Sequence, residues 1–242
     1  MKEFTPQEQF KRYTEELTPL DLSRIQSNDS ASVLLGLRYL YKDYRKLAVL
    51  EWHLHGDAGN FRDHMKTALD YEFKSFMESK SQRPEILFDT PIGLIFDALN
   101  TGDEVFAREY TQFLDDNLND KKKSRTHEDN ALTMCGIVLV SGRYEEQFPI
   151  FIEKLKKGYS SKRWIKLYPY ALAIEAIWAR DSVTFNEQMT VIAETHRKML
   201  RSIFDDYEDK LLCLRGLALC NLARMKGMTV SIDHPYIPKK LI

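Results

Sequence analysis

The feature that most constrains the fold is a recurring turn flanked by helical sequence. The turns lie near Gly56, Gly102, Gly142 and Arg180, about 40 residues apart, and a phenylalanine follows each of them within a few residues. On both sides of each turn, apolar residues recur every three or four positions, which is the period of an amphipathic helix. Helix–turn–helix units repeated at this spacing are typical of stacked helical hairpins.

The repeat predicts a series of hairpins, each made of two helices. Their apolar stretches are residues 30–58 with 61–76, 92–99 with 106–114, 131–140 with 148–155, and 168–179 with 185–199. Glycine can adopt the positive φ that ends a helix, and Asp57, Asp103 or Asp181 can cap the helix that follows. The residue spacing of tetratricopeptide repeats is absent. We therefore expect an all-α fold of irregular stacked αα-hairpins, forming one domain over residues 1–242.

Composition supports helices and disfavours two classes of partner. Only 10 Gly and 8 Pro occur among the 242 residues, which disfavours a β-sandwich or propeller with many tight turns. The 35 Lys and Arg are balanced by 36 Asp and Glu, for a net charge of -1. No overall basic field would attract nucleic acid or an anionic membrane, so we expect neither as a partner.

Residues 117–130 are predicted to form a solvated loop. Blocks of opposite charge alternate there with almost no apolar side chain. The basic residues of this stretch are closely flanked by acidic ones and have no aromatic residue among them, unlike a nucleic-acid-binding patch. Since the loop lies near the middle of the chain, a subdomain boundary could fall near residues 120–130.

Cysteine usage and the chain's apolar runs favour a cytoplasmic protein. Cys135, Cys213 and Cys220 make an odd number in a long chain, unlike the disulfide framework of small secreted domains. Their apolar neighbours predict buried core positions. The N-terminus is polar and acidic, without the features of a signal peptide. The longest purely apolar run, residues 136–140, is far shorter than the ~20 residues that a bilayer requires.

The sequence has no motif for metal, cofactor or catalysis. None of the six histidines has a carboxylate three residues before it, as a carboxylate-bridged di-metal centre in a helical bundle requires. His53 and His55 are two positions apart, so they point to different sides of a helix. Glycine-rich phosphate-binding patterns are also absent. We therefore expect no metal, no cofactor and no enzyme activity.

An acidic group precedes the last apolar helix and consists of Asp205, Asp206, Glu208 and Asp209. One interpretation is structural: the carboxylates open that helix and stabilise the positive end of its dipole. The functional interpretation is a docking patch for a basic partner. These four residues are the candidate partner-binding residues.

The C-terminal sequence has a distinctive pattern. An apolar helix rich in small residues, 211–224, is followed by Gly227 and an Asp-x-Pro-Tyr-x-Pro-x-x-Leu tail over residues 233–241. This end resembles that of the bacterial immunity proteins numbered family 49, and the turns Gly56-Asp57 and Gly102-Asp103 are compatible with the same family. The resemblance implies an all-α protein that is encoded beside a polymorphic toxin and protects the producing cell and its kin. It carries over no catalytic residue.

The resemblance further implies that the protein works by binding its cognate toxin. It would block the active site of the toxin or hold the toxin in an inactive conformation. A nuclease toxin would have a basic cleft that the acidic group suits. Another all-α immunity family, paired with certain nuclease toxins, is an alternative.

An alternative of another class is a helical-repeat adaptor that binds a peptide or partner protein in its groove. The candidate groove residues are Tyr39, Tyr41, Trp164, Tyr168 and Tyr170. A toxin-bearing gene immediately upstream would favour immunity, and an operon of signalling components would favour the adaptor.

Overall fold

The computed structural model describes residues 4–88, 91–119, 128–200 and 207–242. In these ranges the chain is predominantly helical, and β-pairing is confined to two isolated bridges, Phe88 with Leu118 and His234 with Ile237. The predicted all-α fold class is confirmed. No helix within the described ranges has the length and apolarity needed to cross a membrane.

The chain divides into two compact units, residues 1–86 and residues 87–242. The division lies just before the second predicted hairpin. The boundary expected near residues 120–130 falls mostly on residues 120–127, which lie outside the described part of the chain.

The first unit is an N-terminal helical segment followed by a long hairpin. Its helices are α1 (Pro6–Arg12), which continues through a π-helical turn (Tyr13–Leu17) into α2 (Thr18–Arg24), then α3 (Ser30–His55) and α4 (Ala58–Gln82). Gly56 ends α3 with a φ of 66°, and the Asp57 side chain accepts a hydrogen bond from the Asn60 amide at the start of α4. The first hairpin is confirmed, with the predicted glycine stop and aspartate cap.

The second unit contains the remaining hairpins and one last helix. Its helices are α5 (Ile92–Asn100), α6 (Glu104–Asp116), α7 (Glu128–Ser141), α8 (Phe148–Tyr159), α9 (Tyr168–Ala179), α10 (Ser182–Met199) and α11 (Leu214–Met225). Short 3₁₀ turns lie at Glu145–Gln147, Ile165–Leu167, Glu208–Lys210 and Lys239–Leu241. The predicted second, third and fourth hairpins are α5–α6, α7–α8 and α9–α10.

The turns of these hairpins share a left-handed residue but differ in the cap that follows it. Gly102 and Gly142 adopt positive φ, and the Asp103 side chain caps α6 by accepting from the Phe106 amide. In the last turn Arg180 takes the left-handed conformation instead of glycine, with a φ of 55°. Its guanidinium donates a hydrogen bond to the Lys226 carbonyl. Asp181 then caps α10 by accepting from two amides of the first turn.

The phenylalanines that follow the turns pack largely as predicted. Phe61, Phe148 and Phe185 are fully buried, whereas Phe106 is half-buried. Three of the four are therefore core residues, and the Phe148 ring stacks on Trp178 of the next hairpin at 4.4 Å.

The core of the second unit is centred on α7 and α11. Residues 130–140 of α7 are all buried, so this helix is covered on every side, and residues 216–223 of α11 are buried as well. Helix α11 packs against α5, α9 and α10, and the Asn100 side chain donates a hydrogen bond to the Leu214 carbonyl. The last helix thus joins the first and last hairpins of this unit.

Candidate partner-binding site

The predicted acidic group is only partly described, and its local structure differs from the expectation. Asp205 and Asp206 lie outside the described residues. Glu208 and Asp209 belong to the 3₁₀ turn Glu208–Lys210, which we call the acidic turn. The prediction that the group opens the last helix is wrong, because α11 begins only at Leu214.

The reason for the later helix start is the path of the chain between the acidic turn and α11. The Leu212 amide donates back to the Glu208 carbonyl, and the Cys213 amide donates to the Tyr236 carbonyl of the C-terminal tail at 2.8 Å. The Leu212 bond has the i→i−4 spacing of an α-helix, whereas the Cys213 amide leaves that pattern and bonds the tail. The segment before α11 is therefore fixed by the tail.

The two described carboxylates of the group differ in their access to solvent. Glu208 has a side chain that is buried, at 3% exposure, whereas Asp209 is half-buried. Of this pair only Asp209 is partly exposed to solvent. The side chain of Glu208 lies in the protein interior.

A buried histidine fixes the acidic turn to α10. The Nε2 atom of His196 donates to the Asp209 carbonyl at 2.7 Å, and the imidazole packs edge-on against the Tyr236 ring. Burial lowers the pKa of His196, the nearby His234 lowers it further, and the bond to Asp209 opposes these effects. Because burial disfavours the charged form, the neutral imidazole is the form that fits this position.

The C-terminal tail returns to the helices and packs against them. His234 and Ile237 exchange two backbone hydrogen bonds, and the His234 and Tyr236 rings stack. Ile237 and Leu241 are fully buried, while Tyr236 is half-buried. Gly216 leaves room for the tail, since a Cβ there would lie 2.8 Å from Ile237 Cδ1.

A second contact that holds the tail comes from α10. The Asn186 side chain donates to the Thr229 carbonyl at 2.9 Å and accepts from the Ser231 amide at 2.8 Å. Sequence reasoning missed both Asn186 and His196, because neither belongs to a local motif. Asn186 bonds residues 43 and 45 positions away, and His196 bonds Asp209, which is 13 positions away.

The cysteines are buried and free, as predicted for core positions. Burial raises the pKa of Cys135 and Cys220, and it raises that of Cys213 to about 11. Cys213 Sγ lies 3.3 Å from the hydroxyl of Tyr170, which is itself buried. These thiols are protonated at neutral pH, so none of them is an activated nucleophile.

The burial of Tyr170 also affects the proposed aromatic groove. Tyr170 cannot line an exposed groove, so its assignment there is wrong. Tyr39 and Tyr41 belong to the first unit, whereas Trp164 and Tyr168 belong to the second.

The described residues contain no metal cluster, and the cavity next to Asn221 is small. No three His, Cys, Asp or Glu side chains in the described ranges are grouped so that they could hold a metal ion. His53 and His55 lie exposed at the end of α3. A cavity of about 160 Å³ lies between α5, α6 and α11, next to Asn221 and Arg224. It is smaller than the roughly 300–1,000 Å³ of typical small-molecule sites.

Sequence reasoning also missed a basic surface between α8 and α9. Over residues 157–166, which we call the basic turn, four cations occur without any acidic residue. They are Lys157, Lys162, Arg163 and Lys166, and all four are exposed. This local charge is visible in the sequence, but the net charge of the whole chain conceals it.

Comparison with known proteins gives one match. The model of the protein family described as Immunity protein 49 matches residues 53–241, which is more than half of the chain. No curated protein matches this chain, and no solved structure matches it. The matched region includes the hairpins of the second unit, the basic turn, the acidic turn and the C-terminal tail.

Proposed function

This chain belongs to the immunity protein 49 family, and from that premise we propose that it binds and neutralises a cognate bacterial toxin. The toxin is of the polymorphic class, delivered by contact or by secretion. The protein acts in the cytoplasm of the producing cell. It inhibits by occupying the toxin, without chemistry of its own.

The observation that carries this proposal is the family match over residues 53–241. Two structural features support binding rather than catalysis as the mode of action. The thiols are protonated, and the cavity beside Asn221 is small. A protein of this kind offers a partner its folded surface, and affinity then depends on shape and charge complementarity.

Within that proposal, the acidic group remains a candidate contact for a basic toxin surface. Asp205, Asp206 and Asp209 would supply the contacting carboxylates. Glu208 is buried, so its part is to support the turn. The bond between His196 and Asp209 holds the turn in one conformation, which reduces the entropy lost on binding.

Co-expression tests the proposed function. Bacteria that express the toxin domain encoded by the adjacent gene should stop growing, and growth should return when this protein is produced with it. Production of an unrelated α-helical protein from the same vector is the control. Growth arrest that persists despite abundant, folded protein would contradict the proposal.

A further inference from the structure

We infer that the basic turn, residues 157–166, is a second docking surface that binds an acidic, partly apolar patch on the toxin. This inference rests on the proposed function and adds the chemistry of the partner's surface. It concerns the face between α8 and α9, at a different place in the chain from the acidic turn.

The four cations of the basic turn have no acidic partner within the described structure. Lys157, Lys162, Arg163 and Lys166 form no ion pair with any residue in the described ranges. The neighbouring Lys156 behaves differently, because it bonds Glu175 at 3.1 Å and also contacts Glu153. The four cations are therefore available to an external partner.

A favourable helix dipole accounts for only one of these cations. Lys157 lies in the last turn of α8, where a positive charge stabilises the helix dipole. Lys162, Arg163 and Lys166 instead precede α9, whose first turn has no acidic residue and no side-chain cap. Positive charge near a helix N-terminus is unfavourable. None of the three therefore stabilises the start of α9, and a role in binding accounts for their exposed charge better than a role in capping that helix.

The backbone of the basic turn is well defined by its own hydrogen bonds. The amides of Ser160 and Ser161 donate to carbonyls in the last turn of α8, and the amides of Trp164 and Leu167 donate to Ser161 and Trp164. The cations are therefore displayed on an ordered scaffold. Less ordering entropy is lost when a partner binds such a surface.

The apolar residues of the turn favour a protein partner over nucleic acid. Ile165 is 50% exposed between Trp164 and Lys166, and it suits an apolar contact surrounded by charge. The Arg163 guanidinium lies 4.7 Å from the centre of the Trp164 ring, so that face is covered and cannot stack on a base. The complement is a protein surface with carboxylates around a small apolar depression.

Paired charge reversals measured against the purified, inactivated toxin domain test this inference. Lys162→Glu with Lys166→Glu changes the basic turn, and Lys239→Glu with Lys240→Glu makes the same charge change at exposed lysines in the tail. The first pair should raise the Kd of the complex about tenfold or more, mainly because association is slower. The association rate of this variant should also depend less on salt concentration. The second pair should change the affinity by less than about threefold. Ile165→Ser should chiefly speed dissociation.

Folding of the variant is checked independently. Since Lys162→Glu and Lys166→Glu place negative charge before α9, the melting temperature should stay level or rise. A weakened complex with retained stability supports the inference.

Three other outcomes would overturn the inference. If the toxin binds both charge-reversal pairs as tightly as the unmodified protein, the basic turn is not a contact and the proposed function stands. If short single-stranded RNA binds the protein and only this binding is lost in the Lys162 and Lys166 variant, the surface serves nucleic acid. If the unmodified protein does not bind the toxin at all, both the proposed function and this inference fail.

Discussion

The Nε2 atom of His196 lies 2.7 Å from the carbonyl oxygen of Asp209, so a buried imidazole fixes the acidic turn to helix α10. The same ring contacts Tyr236 of the tail. Helix α10, the acidic turn and the tail therefore meet at one side chain. The stability of this arrangement depends on the protonation state of His196.

The pKa of His196 predicts a loss of stability in acid. The folded protein lowers this pKa below its ordinary value of 6.5, mainly through burial. The stabilisation is complete above about pH 6.5 and is lost as the pH falls, because the unfolded chain then binds a proton more readily. His196→Gln should flatten this part of the profile of unfolding free energy against pH, measured with urea. The same slope in both proteins would contradict the assignment, and His53→Gln at an exposed position is the control.

A buried pair of carboxyl groups in the first unit predicts the opposite pH dependence. Asp43 is buried beside Asp21, and desolvation together with the charge of Asp21 raises the pKa of Asp43 to about 7. Between about pH 4 and pH 7 the unfolded chain ionises Asp43 while the folded protein keeps its proton, so the unfolding free energy falls as the pH rises.

Asp43→Asn should remove that loss. Above about pH 7 the variant should exceed the unmodified protein in unfolding free energy by on the order of 2 kcal/mol, and the difference should shrink towards about pH 4. Asp70→Asn, at an exposed position of α4, should have no such effect. A variant that is no more stable than the unmodified protein above about pH 7 would contradict the raised pKa of Asp43.

Gly216 tests the packing of the tail. A Cβ at this position would lie 2.8 Å from Ile237 Cδ1 and 2.9 Å from Cys213 Sγ. Gly216→Ala should therefore cost about 1–3 kcal/mol of unfolding free energy. Adding Ile237→Val removes the Cδ1 atom and should recover part of the loss, measured in a double-mutant cycle. Gly93→Ala, with no atom near its Cβ, should be neutral or slightly stabilising.

If the acidic group contacts the toxin, reversing its charge should weaken toxin binding in a salt-dependent way. Asp205→Lys with Asp206→Lys should slow association with a basic toxin, most visibly at low salt. Helix content should persist by circular dichroism, because α11 starts only at Leu214. Association rates measured at low and high salt give the comparison. Equal rates at low salt would remove the acidic contact and leave the immunity function in place.

The hairpins could be predicted from the sequence because their signals are local. Gly56 and Asp103 act within a few residues of their own position, as stop and cap, and the apolar period marks the helix on either side. The first helix has a local signal as well, since Thr5 and Glu8 form a capping box before any hydrophobic period begins.

The remaining features depend on residues that are distant in the chain. Contrary to the sequence prediction, the acidic turn does not begin the last helix, because the Cys213 amide donates its hydrogen bond to the Tyr236 carbonyl. His196 bonds the acidic turn and contacts Tyr236, and Asn186 bonds the Thr229 carbonyl. None of these contacts could be predicted from residue spacing. Tyr170 is an aromatic residue of the kind that lines a peptide-binding groove. In the structure it is buried, and its hydroxyl contacts Cys213 Sγ.

The central claim is that the protein neutralises its toxin by occupying it. Calorimetric titration of this protein into the purified toxin domain encoded by the adjacent gene tests that claim most directly. We predict a saturable complex with nanomolar affinity, since an inhibitor that acts by occupancy must outlast the toxin's encounters with substrate. Rescue of growth by the unmodified protein, together with no detectable complex in the titration, would contradict the claim.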